Sequence, residues 1–196
     1  GYARMQIEDY NELIYARFNQ LVQNWNTNRH TMPDITFNRT SRADGLHASG
    51  ILASEKQFCY REQILNLNYP ATSAEHNDKL LRIFLQGQFV HLKWQTLFKM
   101  GGIALEVEQQ GHAAEWNMYY TPDAVIKMFG KMWVVEIKSM TTFGFAKLMS
   151  PPAAAVDQLN MYQHQKRIRR GIVLVDDKNN QDFKVWAHEY DPNSVK

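Results

Sequence analysis

The sequence predicts an α/β fold in which a central mixed β-sheet is flanked by helices, with an added helical region at the N-terminus. Two long helical patterns precede residue 101, and strand-like segments rich in Val, Ile, Tyr and Trp follow them. A further helical pattern then separates these segments from two more strands. Because a strand that follows a crossover helix returns to the same sheet, this order favours a mixed sheet with helices on its faces.

Four helices are predicted. Apolar residues recur at helical spacing over residues 5–25, and the pattern breaks over residues 26–50. Ser54 and Gln57 form a capping box for a helix that runs to about residue 66. A longer helix is predicted over residues 78–100, where two glycines follow it, and the last over residues 153–170.

Five strands are predicted, over residues 103–108, 116–129, 131–138, 172–175 and 183–190. The segment Phe129–Gly130–Lys131 is typical of a hairpin turn. We interpret the 196 residues as one domain. Its first 50 residues form the N-terminal helix and a long loop, and residues 51–190 form the core.

Composition excludes several classes of protein. The net charge is only +2, so any basic surface must come from local clustering, which is densest at Lys166, Arg167, Arg169 and Arg170. Cys59 is the only cysteine, so neither an intramolecular disulfide nor a self-contained cysteine metal site is possible. No apolar run approaches the roughly 20 residues of a membrane span. We therefore expect a protein of the reducing cytoplasm, without a membrane partner.

The candidate chemistry centres on Asp123, which ends a Thr-Pro-Asp segment, and on Glu136 and Lys138 of the next predicted strand. Side chains alternate along a strand, so Glu136 and Lys138 share one face. A hairpin would bring Asp123 beside Glu136, and two adjacent carboxylates repel unless a cation lies between them. Oxygen ligands of this kind suit Mg²⁺ or Mn²⁺. The alternative is an exposed hairpin with an ordinary cross-strand Glu–Lys pair.

Two helices carry further candidates. His91 follows Gly87 by four residues on the predicted helix over 78–100, and Gln158 precedes Tyr162 by four on the predicted helix over 153–170, so each pair shares a face. Arg169 would continue the second stripe. An imidazole suits a metal, and an amide, a phenol and a guanidinium suit a phosphate backbone. Taken singly, each has an ordinary explanation that we would favour: a helix histidine without a ligand for the first pair, and a solvated helix face for the second.

In order, the motifs are Gly-x-x-x-His, Asp, Glu-x-Lys and Gln-x-x-x-Tyr. This set resembles the PD-(D/E)XK nuclease superfamily, and within it the RecB-type branch that includes phage exonucleases. The resemblance covers residues from about 41 to 175 and implies a restriction-endonuclease-like core. It implies that His91, Asp123, Glu136 and the Ile137 carbonyl bind Mg²⁺ or Mn²⁺, and that Lys138 is catalytic. It also implies that Gln158 and Tyr162 support the site and contact DNA. Some members carry a four-cysteine iron–sulfur cluster, for which this chain lacks the cysteines.

The resulting expectation is a metal-dependent deoxyribonuclease of recombination, repair or phage DNA processing, working beside recombination or replication proteins. Arg61, Lys166 and Arg169 join Gln158 and Tyr162 as candidate DNA contacts. We expect an exonuclease acting on single-stranded or free-ended DNA, because two loops place aromatic residues beside basic ones, which suits unstacked bases. These residues are Phe37, Arg39, Arg42, Phe143, Phe145 and Lys147. A structure-selective endonuclease, a non-catalytic DNA-binding subunit and a hydrolase of other phosphate esters stay open as alternatives.

Overall fold

The computed structural model describes residues 5–28, 46–47 and 78–195. Its helices are α1 (Tyr10–Asn28), α2 (Asp78–Met100), the short α3 (Thr142–Ala146) and α4 (Ala153–Lys166). Its strands are β1 (Leu46–His47), β2 (Ala104–Val107), β3 (Gly111–Ala113), β4 (Met118–Tyr120), β5 (Ala124–Met128), β6 (Lys131–Met140), β7 (Arg170–Asp177) and β8 (Phe183–Glu189). In these residues, no helix is both long and apolar enough to cross a bilayer.

The central sheet has five strands in the order β2-β5-β6-β7-β8. Only the β6–β7 pair is parallel, and α4 forms the crossover between those two strands. The other three pairs are antiparallel. A smaller sheet, in the order β1-β4-β3, lies beside it. The predicted α/β fold with a mixed sheet and an added N-terminal helix is therefore confirmed.

Apolar side chains cover both faces of the central sheet. On one face, Phe18 of α1 and Trp94 of α2 pack in one cluster with Val135, Ile137 and Leu174 of the sheet. On the other face, α4 packs against the alternate residues of the same strands. A strand that is covered on both sides is mostly apolar, which explains the continuous run over 172–175 in β7 and the run over 132–135 in β6, where Glu136 then interrupts the pattern.

Two predicted elements differ from the structure. The predicted strand over 116–129 divides into β4 and β5, which belong to different sheets, with Thr121–Asp123 between them. The predicted helix over 153–170 is α4, which ends at Lys166 because Arg167 adopts a left-handed conformation with φ 54°. Arg169 therefore does not extend the stripe of Gln158 and Tyr162. The predicted helix over residues 54–66 lies outside the described residues.

The β5–β6 hairpin turns at the predicted segment. Phe129 and Gly130 both have positive φ, at 53° and 71°, as a two-residue turn of this hand requires. The turn fixes the register, in which Met128 pairs with Lys131 and Ala124 pairs with Val135. It thus determines which residue of β6 lies opposite Asp123.

Helix α2 is tied to the sheet by a buried carboxylate of β7. Asp176 is fully buried, and its Oδ2 accepts hydrogen bonds from the indole of Trp94 at 2.8 Å and from Lys93 Nζ at 2.7 Å. A buried carboxylate is stable only when it is paired in this way. Lys93 follows His91 by two residues, so this contact holds α2 in place close to His91 and determines where its imidazole lies.

Candidate active site

The register of the hairpin brings Asp123 beside Glu136. Ala124 lies opposite Val135, so Asp123, one residue earlier, lies at the level of Glu136. The Asp123 carboxylate is held there by the backbone, because its Oδ2 accepts a hydrogen bond from the N–H of Ile137 at 2.6 Å. The two carboxylates thus lie just beyond the last residue pair of the β5–β6 hairpin, and the hairpin register determines that they are neighbours.

His91 reaches the same carboxylate from helix α2. Its Nδ1 lies 3.2 Å from Asp123 Oδ1. Burial is the largest single effect and lowers the pKa of this imidazole, but the charge and hydrogen bond of Asp123, together with the charges of Glu136 and Glu108, raise the pKa to about 9. The structure therefore brings the predicted histidine and aspartate into direct contact.

Glu136 is the most deeply buried member of the site, with 2% of its surface exposed. Its Oε1 forms an ion pair with Lys138 Nζ at 2.6 Å. Burial raises the pKa of Glu136 to about 8, the nearby Asp123 charge adds to the rise, and Lys138 opposes it. This burial contradicts the alternative of an exposed cross-strand pair, because an exposed pair would not carry a carboxylate out of water.

Gln158 and Tyr162 form a chain of hydrogen bonds with Lys138. Lys138 Nζ donates to Gln158 Oε1 at 3.0 Å, and Gln158 Nε2 donates to the Tyr162 hydroxyl at 2.7 Å. Burial lowers the pKa of Lys138, but the adjacent Glu136 more than compensates and raises it. Tyr162 is only 3% exposed, so it supports the lysine through the amide and offers little surface to DNA. The ammonium is held charged and in one orientation.

Two residues beside Asp123 were not predicted from the sequence. Gln95 of α2 is buried and donates to the backbone carbonyl of Asp123 and to the carboxylate of Glu108. Gln95 follows His91 by four residues, so it lies on the same face of the helix, and this spacing is a signal from which it could have been predicted. Glu108 follows strand β2, and its sequence context gave no signal.

The donor set of this site suits a divalent cation. In the part of the chain that the structure describes, no group of three or more His, Cys, Asp or Glu side chains is arranged to hold a metal ion. The two carboxylates instead face His91, the Ile137 N–H and Lys138. Yet Glu136 Oε2 is buried with no hydrogen-bond partner among the described residues. A buried carboxylate oxygen is costly unless a proton, a cation or a hydrogen-bond donor pairs with it, so this oxygen is free to bind a cation. Two carboxylates and one imidazole are a donor set that Mg²⁺ or Mn²⁺ accepts.

The raised pKa values predict how stability depends on pH. Glu136 rises from 4.5 to about 8 and His91 from 6.5 to about 9, so the folded protein holds both protons more tightly than the unfolded chain. Their contribution is complete below the unfolded pKa values and is lost as pH rises through the folded ones. We expect the metal-free melting temperature to fall between pH 6 and 9, by thermal unfolding in matched buffers with EDTA.

A matched variant isolates the carboxyl group. Glu136→Gln does not titrate, so its melting temperature should fall less steeply over the same range. Bound Mn²⁺ must displace the protons, so the stabilisation that it gives should grow with pH. A wild-type melting temperature that is constant or rises from pH 6 to 9 would contradict the expected titration.

The basic run of residues 166–170 does not form one surface. Lys166 is paired with Glu106, and Arg169 is paired with Glu189 although the arginine side chain is 75% exposed. Arg170 begins β7, and its guanidinium lies 5.8 Å from the ring centre of Tyr10. The predicted DNA contacts Lys166 and Arg169 are therefore separated and partly neutralised. Arg61 lies outside the described residues.

Of the two aromatic residues predicted to contact DNA after β6, one is exposed and the other is buried; both lie in the short helix α3. Phe143 is 73% exposed, and Lys147 Nζ lies 3.7 Å from the centre of its ring. Phe145 is buried instead, with Lys184 Nζ 4.5 Å from its ring centre. Phe145 packs this segment against the core, so of the two rings only that of Phe143 could stack on a base. Phe37, Arg39 and Arg42 lie outside the described residues.

Comparison with known proteins identifies solved structures that have a similar fold. No protein-family model matches the chain, and no curated protein is similar to it in sequence. Among solved structures, the alkaline exonuclease LHK-Exo from Laribacter hongkongensis is similar over 79% of this chain and 81% of its own, with a TM-score of 0.58 and 15% identity. The chain shares the fold of this exonuclease.

Two further solved structures agree with this comparison. LHK-Exo in complex with dAMP is similar over 79% of this chain and 82% of its own, with a TM-score of 0.58 and 14% identity. The protein SSO0001 is similar over 93% of this chain and 81% of its own, with a TM-score of 0.51 and 15% identity. At these identities the likeness concerns the fold alone, and it confirms the predicted fold class.

Proposed function

We propose that this protein is a divalent-metal-dependent deoxyribonuclease with a PD-(D/E)XK active site of the RecB type. The observation that carries the proposal is the cluster of His91, Asp123, Glu136 and Lys138, in which one buried carboxylate oxygen has no hydrogen-bond partner among the described residues. His91, Asp123, Glu136 and the Ile137 carbonyl would hold Mg²⁺ or Mn²⁺. Such a cation supplies Lewis-acid stabilisation of the charge that develops on a phosphate during hydrolysis.

The remaining residues position and stabilise the reacting groups. The Lys138 ammonium donates to an oxygen of the scissile phosphate or to the attacking water, and Gln158 and Tyr162 fix its direction. The water oxygen loses a proton to solvent and bonds to phosphorus as the bond from phosphorus to the 3′ oxygen breaks, and the leaving 3′ oxygen takes up a proton from solvent. The products are a 5′-phosphate and a 3′-hydroxyl, and His91 and Asp123, as two of the proposed ligands, would keep the cation beside the scissile phosphate.

The substrate class is DNA that has a free end or a single-stranded stretch. Two observations support it: the fold is that of an alkaline exonuclease, one of whose structures contains dAMP, and the exposed Phe143 carries a cation beside its ring. An aromatic face stabilises an unstacked base by roughly 1–3 kcal/mol, and a closed duplex hides its base faces. We place the activity in recombination, repair or phage DNA processing.

The test is cleavage of end-labelled linear DNA and circular single-stranded DNA, each with Mg²⁺, Mn²⁺ or EDTA. We expect release of labelled nucleotides from linear DNA with either metal and none in EDTA. Glu136→Gln, purified in parallel, should release none, which excludes a contaminating nuclease. Cleavage of the circular strand would show an endonuclease instead.

Other outcomes would contradict parts of the proposal. DNA binding without cleavage under all metal conditions would indicate a non-catalytic DNA-binding subunit. Equal affinity for a blunt duplex and a single strand of the same length would contradict the substrate preference. Rapid cleavage of closed circular duplex would contradict it too.

A further inference from the structure

We propose that Gln95 is a positioning residue that fixes the backbone of Asp123, and through it the Asp123 carboxylate. This inference rests on the proposed function, because Asp123 is one of the residues that would hold the metal. Gln95 is only 4% exposed, and it lies among apolar residues of α2 that pack into the core. A buried amide in such a helix is stable only if its polar atoms are paired.

The amide of Gln95 has two acceptors, and both belong to the edge of the site. Its Nε2 donates to the carbonyl oxygen of Asp123 at 3.1 Å and to Glu108 Oε1 at 3.1 Å. The backbone N–H of Glu108 donates to the same Asp123 carbonyl at 3.2 Å. The carbonyl therefore receives two hydrogen bonds, one from each partner of a Gln95–Glu108 pair.

The location of Asp123 explains why it needs this support. Asp123 lies between β4 and β5, which belong to different sheets, so regular strand pairing stops on its N-terminal side. Pro122 precedes it and has no backbone N–H with which to pair. Glu108, whose backbone N–H contacts Asp123, has a positive φ of 46° and therefore does not have the backbone conformation of a β-strand. Gln95 joins these two irregular segments.

Helix α2 thus contacts Asp123 twice on one face. His91 contacts the carboxylate, and Gln95, one turn later, contacts the carbonyl of the same residue. The Ile137 N–H contacts the other carboxylate oxygen at 2.6 Å. Removal of the Gln95 amide would leave the Asp123 carbonyl with one donor, the Glu108 N–H, and the looser backbone would lengthen the short contact to Ile137. Groups that orient a metal ligand in this way typically change affinity or activity by about 10–100-fold when they are removed.

The experiment compares Gln95→Met with Gln163→Met. Gln163 of α4 is equally buried, and its Nε2 also donates to two acceptors, the carbonyls of Arg169 and His188, which are not part of the site. Methionine keeps the length of glutamine and removes the donor. Both variants should therefore lose comparable stability, and only Gln95→Met should disturb Asp123.

Three measurements separate the two roles. The first is the amide proton shift and hydrogen exchange of Ile137 by NMR in metal-free protein, because a short hydrogen bond shifts that proton downfield. The second is the Kd for Mn²⁺ by calorimetry, and the third is kcat and KM on single-stranded DNA. Gln95→Met should move the Ile137 proton upfield, weaken Mn²⁺ at least tenfold and lower kcat with KM for DNA nearly unchanged. Gln163→Met should change none of these.

The outcomes distinguish this inference from the proposed function. A wild-type protein that does not cut DNA would refute the proposed function, while an Ile137 shift confined to Gln95→Met would still support the positioning role. An active wild type whose Gln95→Met variant keeps the Ile137 shift, Mn²⁺ affinity and kcat would refute the positioning role alone. Equal changes in both variants would also refute it, because they would reflect stability only.

Discussion

Lys138→Met should abolish DNA cleavage and leave Mn²⁺ binding intact or tighter. Methionine keeps the length of the side chain but removes the ammonium, which pairs with Glu136 and is oriented by Gln158. Loss of one preorganised donor to a reacting phosphate typically costs about 10²–10³-fold in rate. Mn²⁺ binding should survive because the substitution frees Glu136 Oε1 from its ion pair. Single-turnover cleavage and calorimetry measure the two effects separately.

Lys131→Met is the matched control for this substitution. Lys131 lies at the other end of the same strand, where its ammonium is 6.0 Å from the ring centre of Tyr10. That variant should cut at the wild-type rate. A Lys138→Met protein that cuts at the wild-type rate would show that the lysine only balances the charge of Glu136.

Glu136→Gln should lose both Mn²⁺ binding and cleavage while the metal-free protein becomes no less stable at pH 8. The amide has the shape of the carboxylate, can still accept from Lys138, and avoids the cost of a charge that is 2% exposed. Removing a metal ligand eliminates the cation's contribution to the rate, so cleavage should fall below detection. Calorimetry, thermal unfolding with EDTA and the cleavage assay test the three parts.

Glu189→Gln provides the comparison, because Glu189 lies on β8 and pairs with Arg169 at the surface. It should keep wild-type Mn²⁺ affinity and cleavage. Undiminished Mn²⁺ affinity in Glu136→Gln would mean that the buried oxygen is not a ligand. A large fall in its metal-free melting temperature would mean instead that the ion pair with Lys138 stabilises the fold.

The sequence by itself determined the elements that carry the site. The bounds predicted for the helix over 78–100 match α2, and the Phe129–Gly130 turn predicted the β5–β6 hairpin, because period and turn chemistry are local properties. The same locality allowed Asp123 and Glu136 to be predicted as neighbours, since a hairpin fixes which residues of its two strands face each other. Four-residue spacing likewise indicated that Gln158 and Tyr162 lie together.

Only the tertiary structure decided which of these side chains are buried and what lies against them. Tyr162 supports Lys138 instead of lying at the surface, and the basic run after Lys166 divides because Arg167 ends the helix. Gln95 contacts Asp123, 28 residues away, only because Asp176 and the core hold α2 against the sheet. Periodicity assigns a residue to a face of its element, whereas the contacts of that face depend on how distant elements pack.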